Sequence, residues 1–317
     1  MRFDRWIAVT FHSKLPEVKI MRAVILLVSF LLVASTTGVA AQGSVGKPQS
    51  HKIFVNGLWL AYEDQGKGPP IVLVPGSLSD YRIWFNQIGA FSQHNRVIAY
   101  SRRYTWPNAG PGAGADASVP RQVDDLAALI GGLGIGPAHI VGHSYAGLIV
   151  LLLALQHPEL VRTLVLEEPT IPSILADTPG SDADLKSFQD FGAALQPAFA
   201  SGEAERIVKT VIDFVAPGAF ASMPSEMHSM FVGNVPSFRA EAGPRPPIAC
   251  QDLGRVTVPT LVLRGERSPS GFRRIADIVA HCVVRGNMVT IPRASHPIQL
   301  DNPQAFNEAV LTFLAQH

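Results

Sequence analysis

Six short apolar runs recur along the chain: IVLV (71–74), RVIAY (96–100), AHIVG (138–142), TLVLE (163–167), TLVLRG (260–265) and MVTIP (288–292). Runs this short and this apolar, alternating with helical segments, predict strands of a parallel sheet buried on both faces. The segments between them fit that demand. PRQVDDLAALIGGLG carries Val123, Leu126, Leu129 and Ile130 on one face, and LIVLLLALQHPEL is apolar nearly all round, which predicts burial. NPQAFNEAVLTFLAQH closes the chain with Phe306, Val310, Phe313 and Leu314 on one stripe. Ahead of the first run, HKIFVNG and LWLAYEDQG predict a hairpin about Asn56-Gly57.

One segment breaks the alternation. Residues 171–250 hold no convincing strand but do hold amphipathic pieces such as DLKSFQDFGAALQPAF and AERIVKTVIDFV. A helical insertion is expected there, because structureless loops of that length are rare inside compact domains. The N-terminus reads as an address. Met21-Arg22 precedes AVILLVSFLLVASTTGVAAQG, a basic start followed by an apolar stretch and small residues. This predicts a signal peptide over 1–41, with 1–20 as an upstream extension, and a mature domain over 42–317 that is periplasmic or secreted. The alternative is an uncleaved membrane anchor. Export makes the two cysteines, Cys250 and Cys282, a candidate disulfide; in the cytosol they would be two buried thiols.

A net charge of +1, with no block of like charge, argues against nucleic-acid partners. No HExxH or Cys/His pairing suggests a metal, and no cofactor is expected. The chemistry lies in Val141-Gly142-His143-Ser144-Tyr145-Ala146-Gly147, which follows an apolar run and opens an apolar helix. This nearly matches the G-x-S-x-G elbow, in which a serine sits on a tight strand-to-helix turn above the sheet. Ala146 stands where glycine is usual.

With Val74-Pro75-Gly76 ahead of Trp84, the helical insertion and ASHPIQLDNPQAF near the end, residues 50–317 resemble the α/β-hydrolase superfamily. The resemblance implies an α/β fold: a mostly parallel sheet with helices on both faces and a helical lid over about 171–250. It implies Ser144 as nucleophile, His296 as base, and the amides of Ser77 and Tyr145 as the oxyanion hole. Pro75-Gly76 replaces the usual His-Gly, and an ordinary turn residue is the plainer account of Ser77. His143 abuts the serine, with its side chain expected to point elsewhere. His94, His139, His157 and His281 are expected at the surface or as satisfied core groups.

The acid is the difficulty. The superfamily often reads G-[DE]-x-D after the seventh strand, and here Gly265-Glu266-Arg267-Ser268 leaves a serine at the acid position. Some branches, among them haloalkane dehalogenases and zearalenone lactonases, take the acid from the end of the sixth strand instead. The resemblance puts Glu168 of LVLEEPTIP there, and the alternation of a strand turns Glu167 to the other side. Glu168 and Glu266 both remain candidates, the latter open to pairing with Arg264 or Arg267.

A serine attacks a carbonyl, so acyl transfer on a carboxylic ester or lactone is expected. Phe188, Phe191, Phe199, Phe214, Phe220 and Phe231 imply an apolar small-molecule substrate. Arg102 or Arg103 is expected to brace loops over the site, with Tyr104 or Trp106 in the pocket or on the surface. The same motif also serves C–C bond hydrolysis, cyanohydrin cleavage and cofactor-free haloperoxidation, and a non-catalytic ligand receptor is a further alternative.

Overall fold

Asn56 and Gly57 both take positive φ, 48° and 85°, as a type I′ turn requires, and they join β1 (Gln49–Val55) to β2 (Leu58–Gln65). The computed structural model describes residues 49–317. The expected signal peptide at 1–41 lies outside them. Among the described residues no helix is long and apolar enough to cross a membrane.

The remaining strands are β3 (Pro70–Val74), β4 (Arg96–Tyr100), β5 (Ala138–His143), β6 (Val161–Glu167), β7 (Thr260–Gly265) and β8 (Gly286–Ile291). They form one eight-stranded sheet in the order β1-β2-β4-β3-β5-β6-β7-β8. β1 and β2 pair antiparallel, as do β2 and β4; every pairing from β4 to β8 is parallel. The two-residue period of each strand splits the core in two. Val72, Ile140, Leu164 and Val262 pack on one face. Ile71, Val141, Val165 and Leu261, their immediate neighbours in sequence, pack on the other. The helix Tyr145–Gln156 is buried along Tyr145 to Ala154, as its apolar circumference demands. The helix Pro303–Leu314 turns Phe306, Val310, Phe313 and Leu314 inward.

One strand departs from the sequence expectation. MVTIP is not buried on both faces: β8 starts earlier, at Gly286, and exposes Met288 and Val289. It is an edge strand with β7 on one side only.

Between β6 and β7 no strand forms. The longer helices there are Asp182–Ser201, Ala204–Val215, Ser225–Gly233 and Val235–Ala240. Polar contacts tie this insertion to the loops that follow β3 and β4. Asn234 Nδ2 donates to Asp80 Oδ2 at 2.9 Å, and Trp106 N donates to Asn234 Oδ1 at 2.8 Å. Cys250 and Cys282 are bridged, fastening the end of the insertion to the helix Ser270–Cys282 that follows β7.

Candidate active site

His143 ends β5, Glu167 ends β6, and the two are register partners. The next residue on each strand, Ser144 and Glu168, therefore leaves the sheet at the same level. Both do so with positive φ, 55° and 44°, a conformation rare for residues with side chains. Crowding explains why Gly142 precedes the elbow: a Cβ there would stand 2.5 Å from Val150 Cγ2. Ala146, also within the turn, is fully buried and fits as alanine.

The turn presents Ser144 to His296, which lies in the loop after β8. Ser144 Oγ is 2.8 Å from His296 Nε2, and His296 Nδ1 is 2.8 Å from Glu168 Oε2. An ionised Glu168 only accepts, so Nδ1–H donates to it and Nε2 is left to accept the Ser144 hydroxyl. Glu168 Oε1 accepts from Gly265 N at 2.7 Å, fixing the carboxylate against the end of β7. Thr170 Oγ1, at a position without a sequence signal, lies 3.1 Å from Ser144 Oγ. Glu168 is fully buried and His296 nearly so.

Glu266 is elsewhere. It is exposed and accepts from Arg293 N at 2.6 Å, not from His296. The expected pairing with Arg264 is also not found, because Arg264 binds Asp277 and Thr290. Ser268, at the usual acid position, is buried with its hydroxyl unpartnered among the described residues.

The Pro75–Ser77 loop lies against the elbow, so closely that a Cβ on Gly76 would be 3.1 Å from Ser144 Cβ. The amides of Ser77 and Tyr145 have no acceptor among the described residues. Arg102 braces this loop from beneath: Nε donates to Pro75 O at 2.8 Å and Nη2 to Gly76 O at 2.7 Å. Its Nη1 pairs at 2.6 Å with Glu241 Oε1, whose other oxygen accepts from Ser77 Oγ at 3.0 Å. Ser77 is thus more than a turn residue. Glu241, far off in the insertion, gave no sequence signal. Arg103 instead binds Asp125, and Tyr104 and Trp106 line neither cavity at Ser144.

Two cavities meet at Ser77 and Ser144. One, of about 390 Å³, runs past His143 and His296 between Leu78, Met223, Met227 and Phe231. The other, of about 310 Å³, is walled by Phe188, Phe191, Phe214 and Phe272. Phe199 and Phe220 face neither; they pack on Phe238 and His228.

Two further buried titratable groups lie beside Ser144, His296 and Glu168. The His143 ring is 5.1 Å from that of His296, so it does not point away, and neither of its nitrogens has a partner among the described residues. Burial, reinforced by His296, holds its pKa far below the ordinary range. Burial likewise drives Glu167 well above the usual carboxylate range, although its Oε1 accepts from Gln299 N at 3.0 Å. Of the other histidines, His139 is buried against Thr163, whereas His94 and His281 are exposed. Among the described residues no group of three or more His, Cys, Asp or Glu is arranged to hold a metal.

The model of the alpha/beta hydrolase family matches residues 71–309. The chain belongs to the alpha/beta hydrolase family. This alpha/beta hydrolase is 26% identical to (E)-2-((N-methylformamido)methylene)succinate hydrolase of Acinetobacter baylyi, over 80% of this chain and 93% of that protein. It is 30% identical to BpoC of Mycobacterium tuberculosis, whose name suggests a non-heme bromoperoxidase, over 81% of this chain and 97% of the other. Its fold matches that of carboxylesterase CesB of Bacillus subtilis with a TM-score of 0.70 at 18% identity, covering 86% and 93% of the two chains.

Proposed function

We propose that this alpha/beta hydrolase cleaves a carboxylic ester or lactone through an acyl-enzyme on Ser144. The observation that supports it best is the pair of 2.8 Å contacts running from Ser144 Oγ through His296 to Glu168. A serine hydroxyl is a weak nucleophile until an oriented base takes its proton. Ser144 attacks the carbonyl carbon as His296 Nε2 takes that proton, and Glu168 stabilises the imidazolium. Charge builds on the carbonyl oxygen, and the Ser77 and Tyr145 amides are the donors for it. The imidazolium then protonates the leaving alcohol. Water repeats the sequence to release the acid and restore Ser144. A serine nucleophile does not form the alkyl-enzyme ester of the carboxylate-dependent members of this fold. The helical insertion serves as the lid, and its Phe188, Phe191, Phe214 and Phe231 favour apolar acyl or alcohol groups.

Hydrolysis of p-nitrophenyl esters of rising chain length, beside a lactone panel with Ser144→Ala as blank, tests this. Folded protein that neither turns over any ester nor reacts with a fluorophosphonate would favour the receptor alternative. The likeness to BpoC favours a second reading, cofactor-free haloperoxidation on the same pair. Bromination of an activated diketone in peroxide and bromide, ahead of ester turnover, would select it. The N-terminal sequence and the Cys250–Cys282 bridge support export to the periplasm or medium, since structural disulfides persist where thiols are not kept reduced. Protein from the native host should begin near Gln42 by mass spectrometry.

A further inference from the structure

The insertion runs into Gly243-Pro244-Arg245-Pro246-Pro247, which neither the relay nor the oxyanion loop uses. The prolines fix φ on both sides of Arg245 and hold its backbone. Its guanidinium lies 4.7 Å from the ring of Tyr145, the residue after Ser144. Arg245 is the one charged side chain lining the smaller cavity, beside Ser144 and the wall of Phe188, Phe191 and Phe214.

No carboxylate pairs with that charge among the described residues. Glu241, an acid close enough to influence it, is committed to Arg102 and Ser77. Arg245 stays solvent-accessible, yet the protein around its guanidinium lowers its pKa by desolvation, and Arg102 adds like-charge repulsion. Tyr145 and Glu241 offset this only in part. The guanidinium thus stands exposed on the cavity wall, unpaired among the described residues and open to an acidic group brought by a ligand.

We infer that the substrate carries a carboxylate, bound by Arg245 in the smaller cavity and joined to the scissile carbonyl or alcohol through an apolar link. The guanidinium fork matches a carboxylate in shape. One cation matches one negative charge, and among the described residues no second cation lines this cavity for a phosphate dianion. The larger cavity is lined instead by Asp301, which repels the same group. A monoanionic ester or lactone therefore enters in one orientation, with the carboxylate on the phenylalanine side and its apolar end under Met223 and Met227.

Because this rests on Ser144 being the nucleophile, turnover and binding are measured separately. Two ester pairs place the charge on either side of the carbonyl: p-nitrophenyl hemiglutarate against p-nitrophenyl valerate, and 4-carboxyphenyl butyrate against phenyl butyrate. In one pair kcat/KM should favour the anionic ester by about 10- to 100-fold, the range of a hydrogen-bonded charge pair. Arg245→Gln should bring that ratio near one, and Arg245→Lys, which keeps charge but not the fork, should fall between. Calorimetry with monobutyl glutarate should show at least about ten-fold tighter binding to Ser144→Ala than to the Ser144→Ala/Arg245→Gln double variant. Inorganic phosphate should compete no better than acetate. An unchanged ratio in Arg245→Gln, no preference in either pair, or stronger competition by phosphate overturns the carboxylate site. Arg245-dependent binding without any ester turnover keeps the site and overturns the esterase reading.

Discussion

Arg102 and Glu241 form an ion pair of 2.6 Å with side chains only 1% and 2% exposed. One reaches up from the loop after β4, the other comes from the insertion, and together they hold the Pro75–Ser77 loop beside Ser144. Removing one partner of such a pair strands a buried charge. Glu241→Gln should lower unfolding free energy by about 3–5 kcal/mol, read from urea melts. It should also depress kcat, because Ser77 loses its tether. Joint replacement by Arg102→Met and Glu241→Leu should recover part of the stability but not the activity, which a double-mutant cycle would reveal.

Ser144→Ala should abolish turnover, by about 10⁴-fold or more, with an unaltered circular dichroism spectrum. Substantial esterase activity in a folded variant would remove Ser144 from the mechanism.

The two glutamates separate cleanly. Glu168→Gln keeps the shape but not the charge beside His296, so kcat should fall by about 10²–10⁴-fold with little change in KM. Glu266→Gln, exposed and bonded only to a backbone amide, should alter stability by less than about 0.5 kcal/mol. A reversed pattern would return the acid to the seventh strand.

Stability should depend on pH through groups of opposite sign. Burial, with Arg162 and His317 adding repulsion, pushes His139 down from its ordinary 6.5 to about 4. The unfolded chain therefore binds the proton first, and stability is lost as pH falls from 6.5 towards 4, at up to about 1.4 kcal/mol per pH unit for one group. His143 acts in the same direction. Glu167 acts oppositely: its raised pKa means that stability is fully present below 4.5 and is lost as pH rises through the folded value. His139→Gln should flatten the acid side of a melting-temperature profile. Glu167→Gln should flatten the neutral side and stabilise the protein at pH 7. A profile unmoved by either variant would show that these groups titrate as in the unfolded chain.

Reduction of the Cys250–Cys282 bridge should cost about 3–4 kcal/mol by the loop-closure argument for a separation of 32 residues. Urea midpoints with and without dithiothreitol measure it. The end of the insertion, not the sheet, should show the earliest loss of amide protection.

The sequence by itself determined the sheet and the elbow. Hydrophobic periodicity is local, so the runs at 71–74, 96–100, 138–142, 163–167 and 260–265 were legible as buried strands, and Asn56-Gly57 as the hairpin turn between β1 and β2. Ser144 was legible because a tight strand-to-helix turn demands small residues at fixed spacing. MVTIP was misread as fully buried because apolar content does not tell a strand whether it has one neighbour or two; that depends on sheet order. The choice between Glu168 and Glu266 was likewise open in sequence. Which of them reaches His296 follows from the His143–Glu167 register, which brings Ser144 and Glu168 out at one level, while Glu266 turns to Arg293. Glu241 and Arg245 carried no signal at all. A charged residue in a helical insertion looks solvated until the chain folds back and its partner, or the lack of one, becomes visible. Such pairings join residues as distant as the 139 positions between Arg102 and Glu241, and only tertiary packing, which excludes water from both, gives them their strength.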